Sequence, residues 1–84
     1  LRLRNAAPVP VVELYADPPG AAARGPDRLG TAVLGAGESM VLAPPPDLPA
    51  ADRCRADLTA VFRDGRELRL AGRDLCAAGE VVLR

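Results

Sequence analysis

The chain has 84 residues, with eleven basic and eleven acidic side chains and no net charge, which excludes the one-signed basic face that nucleic-acid binding requires. All the basic residues are arginine, histidine and tryptophan are absent and Ser39 is the only serine, so the usual general base and activated-nucleophile pairs are missing. One domain spanning residues 1–84 is expected, with a core small enough to benefit from a covalent staple.

Leu1 and Leu3 alternate with Arg2 and Arg4, and this period of two predicts a first strand over Leu1 to Asn5. Ala6-Ala7-Pro8 turns the chain. Val9 to Ala16 reads as the second strand, with Val12, Leu14 and Ala16 on one face and Val11, Glu13 and Tyr15 on the other. Pro8 and Pro10 cannot donate to a ladder and belong at a strand start or an edge. Asp17-Pro18-Pro19-Gly20 ends the strand. Ala21 to Gly37 reads as a surface loop, with a helical turn at Pro26 and a short strand over Thr31 to Leu34. Glu38 to Ala43 predicts a further strand with Met40 and Leu42 inward.

Pro44-Pro45-Pro46 and Pro49 form a stiff segment. Their spacing matches a polyproline II ligand, but a rigid link between two sheets is the favoured reading. From Arg53 to Arg63 the alternation is strict: Cys54, Ala56, Leu58, Ala60 and Phe62 fall on one face, the pattern of a long half-buried strand. Asp64-Gly65 turns the chain and Arg66 to Ala71 returns. A two-residue loop would place Glu67 on the core face opposite Phe62. A three-residue loop, Arg63-Asp64-Gly65, pairs Ala60 with Leu68 and Leu58 with Leu70, keeps every apolar residue on one face, and requires Gly65 in the left-handed region.

In that register Cys54 faces Asp74, and Cys76 lies two residues further on the same face. A bend after Arg73 then brings the two cysteines together as a disulfide, contributing roughly 3 kcal/mol and pointing to an oxidising compartment. Glu80 to Arg84 supplies the last strand, with Val81 and Leu83 inward and Val82 outward. Six or seven short strands predict an all-β, disulfide-stapled antiparallel sandwich of immunoglobulin-like form, or a small β-barrel.

The order Leu14-Tyr15-x-Asp17-Pro18, Asp27-x-Leu29-Gly30, Cys54-x-x-Asp57, Phe62-x-Asp64-Gly65 and Leu75-Cys76 resembles a group of small exported bacterial β-domains often labelled Tat-pathway signal proteins. The resemblance spans nearly the whole chain and implies a β fold and export, with no activity to transfer. Where such domains often carry Trp-Gly ahead of the Asp-x-Leu-Gly element, this chain has Arg24-Gly25. The prevalence of Ala, Arg, Gly, Pro, Val and Leu fits GC-rich codons and a bacterial source.

Ser39 lacks a histidine to activate it. The cysteines lack the close C-x-x-C spacing of a redox pair. No His and no free thiolate is expected for a metal, and the acidic residues are dispersed. Gly35-Ala36-Gly37 is followed by none of the Lys-Ser/Thr of a phosphate loop. Asp52, Asp57, Asp64 and Asp74 surround one hairpin, where parity points them outward or into turns, and solvated charge pairing across the strands is the expected role. No apolar run reaches the ~18 residues of a membrane span. A mature periplasmic or extracellular chain whose signal has been removed, or a trimmed one, is the simplest account of a start at Leu1.

These exclusions leave a non-enzymatic structural or accessory-subunit protein, without cofactor, acting through contacts with other protein subunits or with itself. A ligand-binding module, for example for a glycan, is the alternative. Val11, Tyr15, Val61 and Val82 are the apolar side chains that period-two parity turns outward, and they are the candidate contact surface.

Overall fold

Alternation of apolar and polar residues generates six strands: β1 (Arg2–Asn5), β2 (Val11–Asp17), β3 (Ser39–Val41), β4 (Arg55–Phe62), β5 (Glu67–Asp74) and β6 (Glu80–Leu83). The computed structural model describes the backbone of all 84 residues and every side chain except that of Asp52. The strands form two separate three-stranded sheets, ordered β3-β1-β6 and β2-β4-β5. The fold is thus a small disulfide-bearing sandwich rather than a barrel. Pairing is antiparallel except between β1 and β6, which run parallel.

The core draws on both sheets and on their connections. Phe62, Leu3, Leu14, Leu58, Leu75 and Leu83 are its largest fully buried apolar side chains. The β3-to-β4 crossover links the two sheets, as expected of a proline-stiffened segment, and it buries Pro45 and Leu48. The Arg53 guanidinium donates to the carbonyls of Leu48 and Pro46 and fixes the bend. A single 3-10 turn, Ala50–Asp52, follows. No helical turn forms at Pro26. The Asp27 carboxylate there accepts the Leu29 N–H, closing a tight turn in place of a helix. The strand expected over Thr31 to Leu34 reduces to one bridge between Leu34 and Val11.

The β4–β5 hairpin follows the three-residue loop. Ala60 pairs with Leu68 and Leu58 with Leu70. The Gly65 N–H donates to the Phe62 carbonyl at 2.9 Å and the Phe62 N–H to the Arg66 carbonyl at 2.9 Å. Gly65 has φ +89°. The Arg66 guanidinium lies 4.2 Å from the Phe62 ring centroid.

Two bulges shift what strict parity predicts. In β2, Val11 pairs with Phe62 and Glu13 with Val61, so Val12 is an extra residue. Val11 consequently turns inward and is 1% exposed, which removes it from the candidate contact surface. In β5, Ala71 and Gly72 together oppose Asp57, and Gly72 takes φ +62°. Beyond that point Cys54 faces Leu75, not Asp74: the Leu75 N–H donates to the Cys54 carbonyl at 2.8 Å. Leu75 is buried and both cysteines are exposed. The Cys54–Cys76 disulfide is present, with Cα atoms 5.0 Å apart. It staples the surface end of the hairpin instead of the core face, and the bend that permits it precedes Arg73.

Asn5 is fully buried. Its Nδ2 donates to the Val9 and Leu34 carbonyls at 2.9 and 3.0 Å, and its Oδ1 accepts the Ala7 N–H at 3.0 Å. Replacing Asn5 by Ala or Leu strands the Val9 carbonyl and the Ala7 N–H, while the Leu34 carbonyl keeps the Val11 N–H. We expect a loss of about 2–4 kcal/mol in urea titrations. A second expectation concerns Gly65, where an added Cβ meets no atom within 4 Å, so the cost of a side chain is purely conformational. Gly65→Val should lower stability by about 1–2 kcal/mol, while Gly79→Ala, equally open and without a positive φ, stays close to wild type in the same thermal melts.

Candidate functional site

The outer face of the β2-β4-β5 sheet is the polar half of three alternating strands. Cross-strand pairing sets out the rows Glu13–Val61–Glu67 and Tyr15–Thr59–Arg69, with Asp17 opposite Asp57 at one end. The sequence pattern leaves this face to solvent. In the structure the segment from Pro18 to Gly25 folds back across it as a strap.

Aspartates hold the strap. The Asp57 carboxylate accepts the Gly20 N–H at 2.9 Å through Oδ2 and the Gly72 N–H at 2.8 Å through Oδ1. It therefore joins the strap to the β5 bulge. Asp17 Oδ1 accepts the Gly25 N–H at 2.7 Å. At its far end the strap sends Arg24 across the sheet. The Arg24 guanidinium stacks 4.8 Å from the Tyr15 ring centroid and pairs with Glu67. Arg24 thus sits over Tyr15 as an anchor of the strap. The Tyr15 hydroxyl donates to Glu13, which raises its pKa because ionisation would give up that hydrogen bond.

Between strap and sheet lies a cavity of about 140 Å³, lined by Asp17, Arg24, Asp57, Thr59 and Arg69 and by the strap alanines. Thr59 is only 5% exposed, and its hydroxyl makes no hydrogen bond among the described residues. Arg69 forms no ion pair there either. Both can bond a small polar guest. No group of three His, Cys, Asp or Glu side chains that could hold a metal ion occurs among the described residues.

The candidate contact residues do not form one patch. Tyr15 and Val61 are diagonal neighbours on this face, both half-buried, with Tyr15 beneath Arg24. Val82 lies opposite Arg4 on the outer face of the other sheet, and Val11 is in the core. The most exposed large apolar side chain is Val41, at 68%, beside a shallow depression that includes Leu1 and Gly79. Strict alternation places Val41 outward, on the edge strand β3.

The aspartates are also corrected. They pair with backbone N–H groups and not with charges across the strands: Asp64 accepts the Arg66 N–H and Asp74 the Cys76 N–H. The Asp52 side chain lies outside the described residues. Asp-Gly and Asp-Pro dipeptides were the available signal for this role, whereas the Gly20–Asp57 bond joins residues far apart in sequence and left none.

Comparison with family models, with curated proteins and with solved structures finds no match to this chain. Among the described residues no helix is long and apolar enough to cross a membrane.

The two N–H groups, Gly20 first and then Gly72, hold the Asp57 pKa below the usual carboxylate range. A depressed native pKa contributes stability that is present above the unfolded value and is lost as pH falls through the native one. Asp57→Asn should therefore flatten the fall in stability of the wild type below about pH 4. In wild type, hydrogen exchange at Gly20 should accelerate over the same range relative to Val11, whose N–H is held by the Leu34 carbonyl.

Proposed function

We propose that this domain is a non-enzymatic structural or accessory module that acts outside the cytoplasm through protein–protein contact, using the open edge of β5. The observation that supports this reading is an asymmetry between the two edges of the β2-β4-β5 sheet. The β2 edge is closed by the chain itself. The Leu14 carbonyl accepts the Arg28 N–H, the Leu14 N–H is taken by Asp27, and the Ala16 carbonyl by the Arg28 guanidinium. Val11 exchanges hydrogen bonds with Leu34. Arg28 is locked in turn by Asp47 at 2.6 Å. At the other edge β5 extends over eight residues and no strand adjoins it. An unpaired edge is a template for a partner strand. The disulfide supports an oxidising location, and the neutral, arginine-rich composition supports no nucleic-acid role.

A second reading, a ligand-binding module, has its own observation in the cavity under the strap. The Thr59 hydroxyl, the Asp17 carboxylate and the Arg69 guanidinium are the mixture of donors and acceptors that a hydroxyl-rich ligand such as a glycan uses. Binding of wild-type protein on a glycan array would favour this reading over the first.

The edge reading is tested by proline. The Arg69 N–H points away from β4, so Arg69→Pro removes a donor from the free edge and none from the ladder. The variant should melt within about 4 °C of wild type and lose the partner that co-purifies with wild type. Arg69→Ala, which keeps the N–H, should retain it. Equal recovery with wild type and Arg69→Pro would reject the edge as the contact surface.

A further inference from the structure

We propose that the partner of the β5 edge is a second copy of this chain, joined antiparallel, β5 to β5, about a two-fold axis at Leu68. This rests on the contact reading above and adds to it the identity and the register of the partner.

The register follows from hydrogen-bond parity. The bond from the Phe62 N–H to the Arg66 carbonyl makes these two a bonded pair. Alternation then makes Ala60 with Leu68, and Leu58 with Leu70, bonded pairs as well. Leu68 and Leu70 thus direct their backbone groups at β4, and Glu67, Arg69 and Ala71 direct theirs at the free edge. A second copy must set outward residues opposite outward residues. Three symmetric registers do this for at least two of the outward residues Glu67, Arg69 and Ala71 on each strand. Centred on Arg69, the register brings that guanidinium against its own copy. Centred on Leu70, it sets Arg69 opposite Ala71 and meets the bulge at Gly72. Centred on Leu68, it sets Glu67 opposite the second copy's Arg69 and Arg69 opposite the second copy's Glu67.

The Leu68 register therefore gives two complementary cross-strand charge pairs, each the kind that stabilises a sheet. It also brings the two half-buried Leu68 side chains together on the core-facing side, at a non-bonded position where strands approach most closely. Two three-stranded sheets become one of six strands. No other edge matches this. β3 has three residues and β6 four. The Arg84 carbonyl just beyond β6 already accepts from Arg66. The β5 edge carries no proline from Glu67 to Asp74, and the Gly72 bulge ends the pairing.

Charge exchange tests both partner and register. Wild-type oxidised protein should show a concentration-dependent monomer–dimer equilibrium by light scattering. Arg69→Glu, and Glu67→Arg, which also gives up the Arg24 pair within its own protomer, should each weaken the homodimer roughly tenfold, since two favourable pairs across the edge become two like-charge pairs. An equimolar mixture of the two variants should form a heterodimer by native mass spectrometry, because every pair across the edge is again of opposite sign. Arg69→Pro should be monomeric. A wild type that stays monomeric at every concentration overturns the second copy as partner. The contact reading is then still decided separately by co-purification with Arg69→Pro. A dimer that persists in Arg69→Pro, or single variants that dimerise as wild type does, overturns the β5 edge. A wild-type dimer whose charge variants do not recombine overturns the register.

Discussion

The Asn5 amide lies at the end of β1, and its three hydrogen bonds tie that strand to the 6–10 turn and to Leu34, which bridges to β2. A buried primary amide is tolerable only when its donors and acceptor are matched. Here the partners come from the turn that follows it and from the Leu34 end of the long loop. Its own backbone meanwhile closes β3 onto β1, through Glu38 and Gly37. The chain contains no other asparagine. The Leu34 bridge to Val11 lets the loop lie along β2, and the closed β2 edge is thus a consequence of the same junction.

Most of the aspartates bond the backbone, while Asp47, Glu67 and Glu80 pair with arginines. Asp17, Asp27, Asp57, Asp64 and Asp74 each accept at least one main-chain N–H. In a chain with nine prolines and eight glycines, many loop amides lack a regular partner, and short carboxylates supply it. This accounts for an acidic content that resembles a pool of catalytic carboxylates but is spent on turns. Asp57 goes furthest, because its two oxygens tie a loop and a bulge from opposite ends of the sequence. The strap it holds converts a flat sheet face into a cavity.

Arginine has a parallel role on the basic side. Arg28 and Arg53 brace the loop and the crossover through carbonyls, Arg24 covers Tyr15 and Arg66 covers Phe62. The planar, multiply donating guanidinium suits such bracing better than a lysine would. With these four engaged, Arg69 remains facing the cavity beside the free edge.

The sequence by itself determined the six strands that form, the hairpin register from its turn as far as Leu70, and the disulfide partners. Strict alternation from Ala56 to Phe62 admits one inward face, and only a three-residue loop with Gly65 keeps Leu68 and Leu70 on it. Those constraints are local, so they are legible in order along the chain. The tertiary structure alone decided which residues the bulges displace. Val11 and Val12 compete for one inward position, and Ala71 with Gly72 for the space opposite Asp57. In each case both choices satisfy the sequence pattern, and contacts made by residues distant in sequence select between them. Leu34 holds Val11 and Asp57 holds the Gly72 amide. The strap, the covered Tyr15 and the contrast between a closed β2 edge and an open β5 edge follow from the same cause. They are bonds between segments that no periodicity relates, and hydrogen-bond partners of that kind exist only once the chain has brought them together.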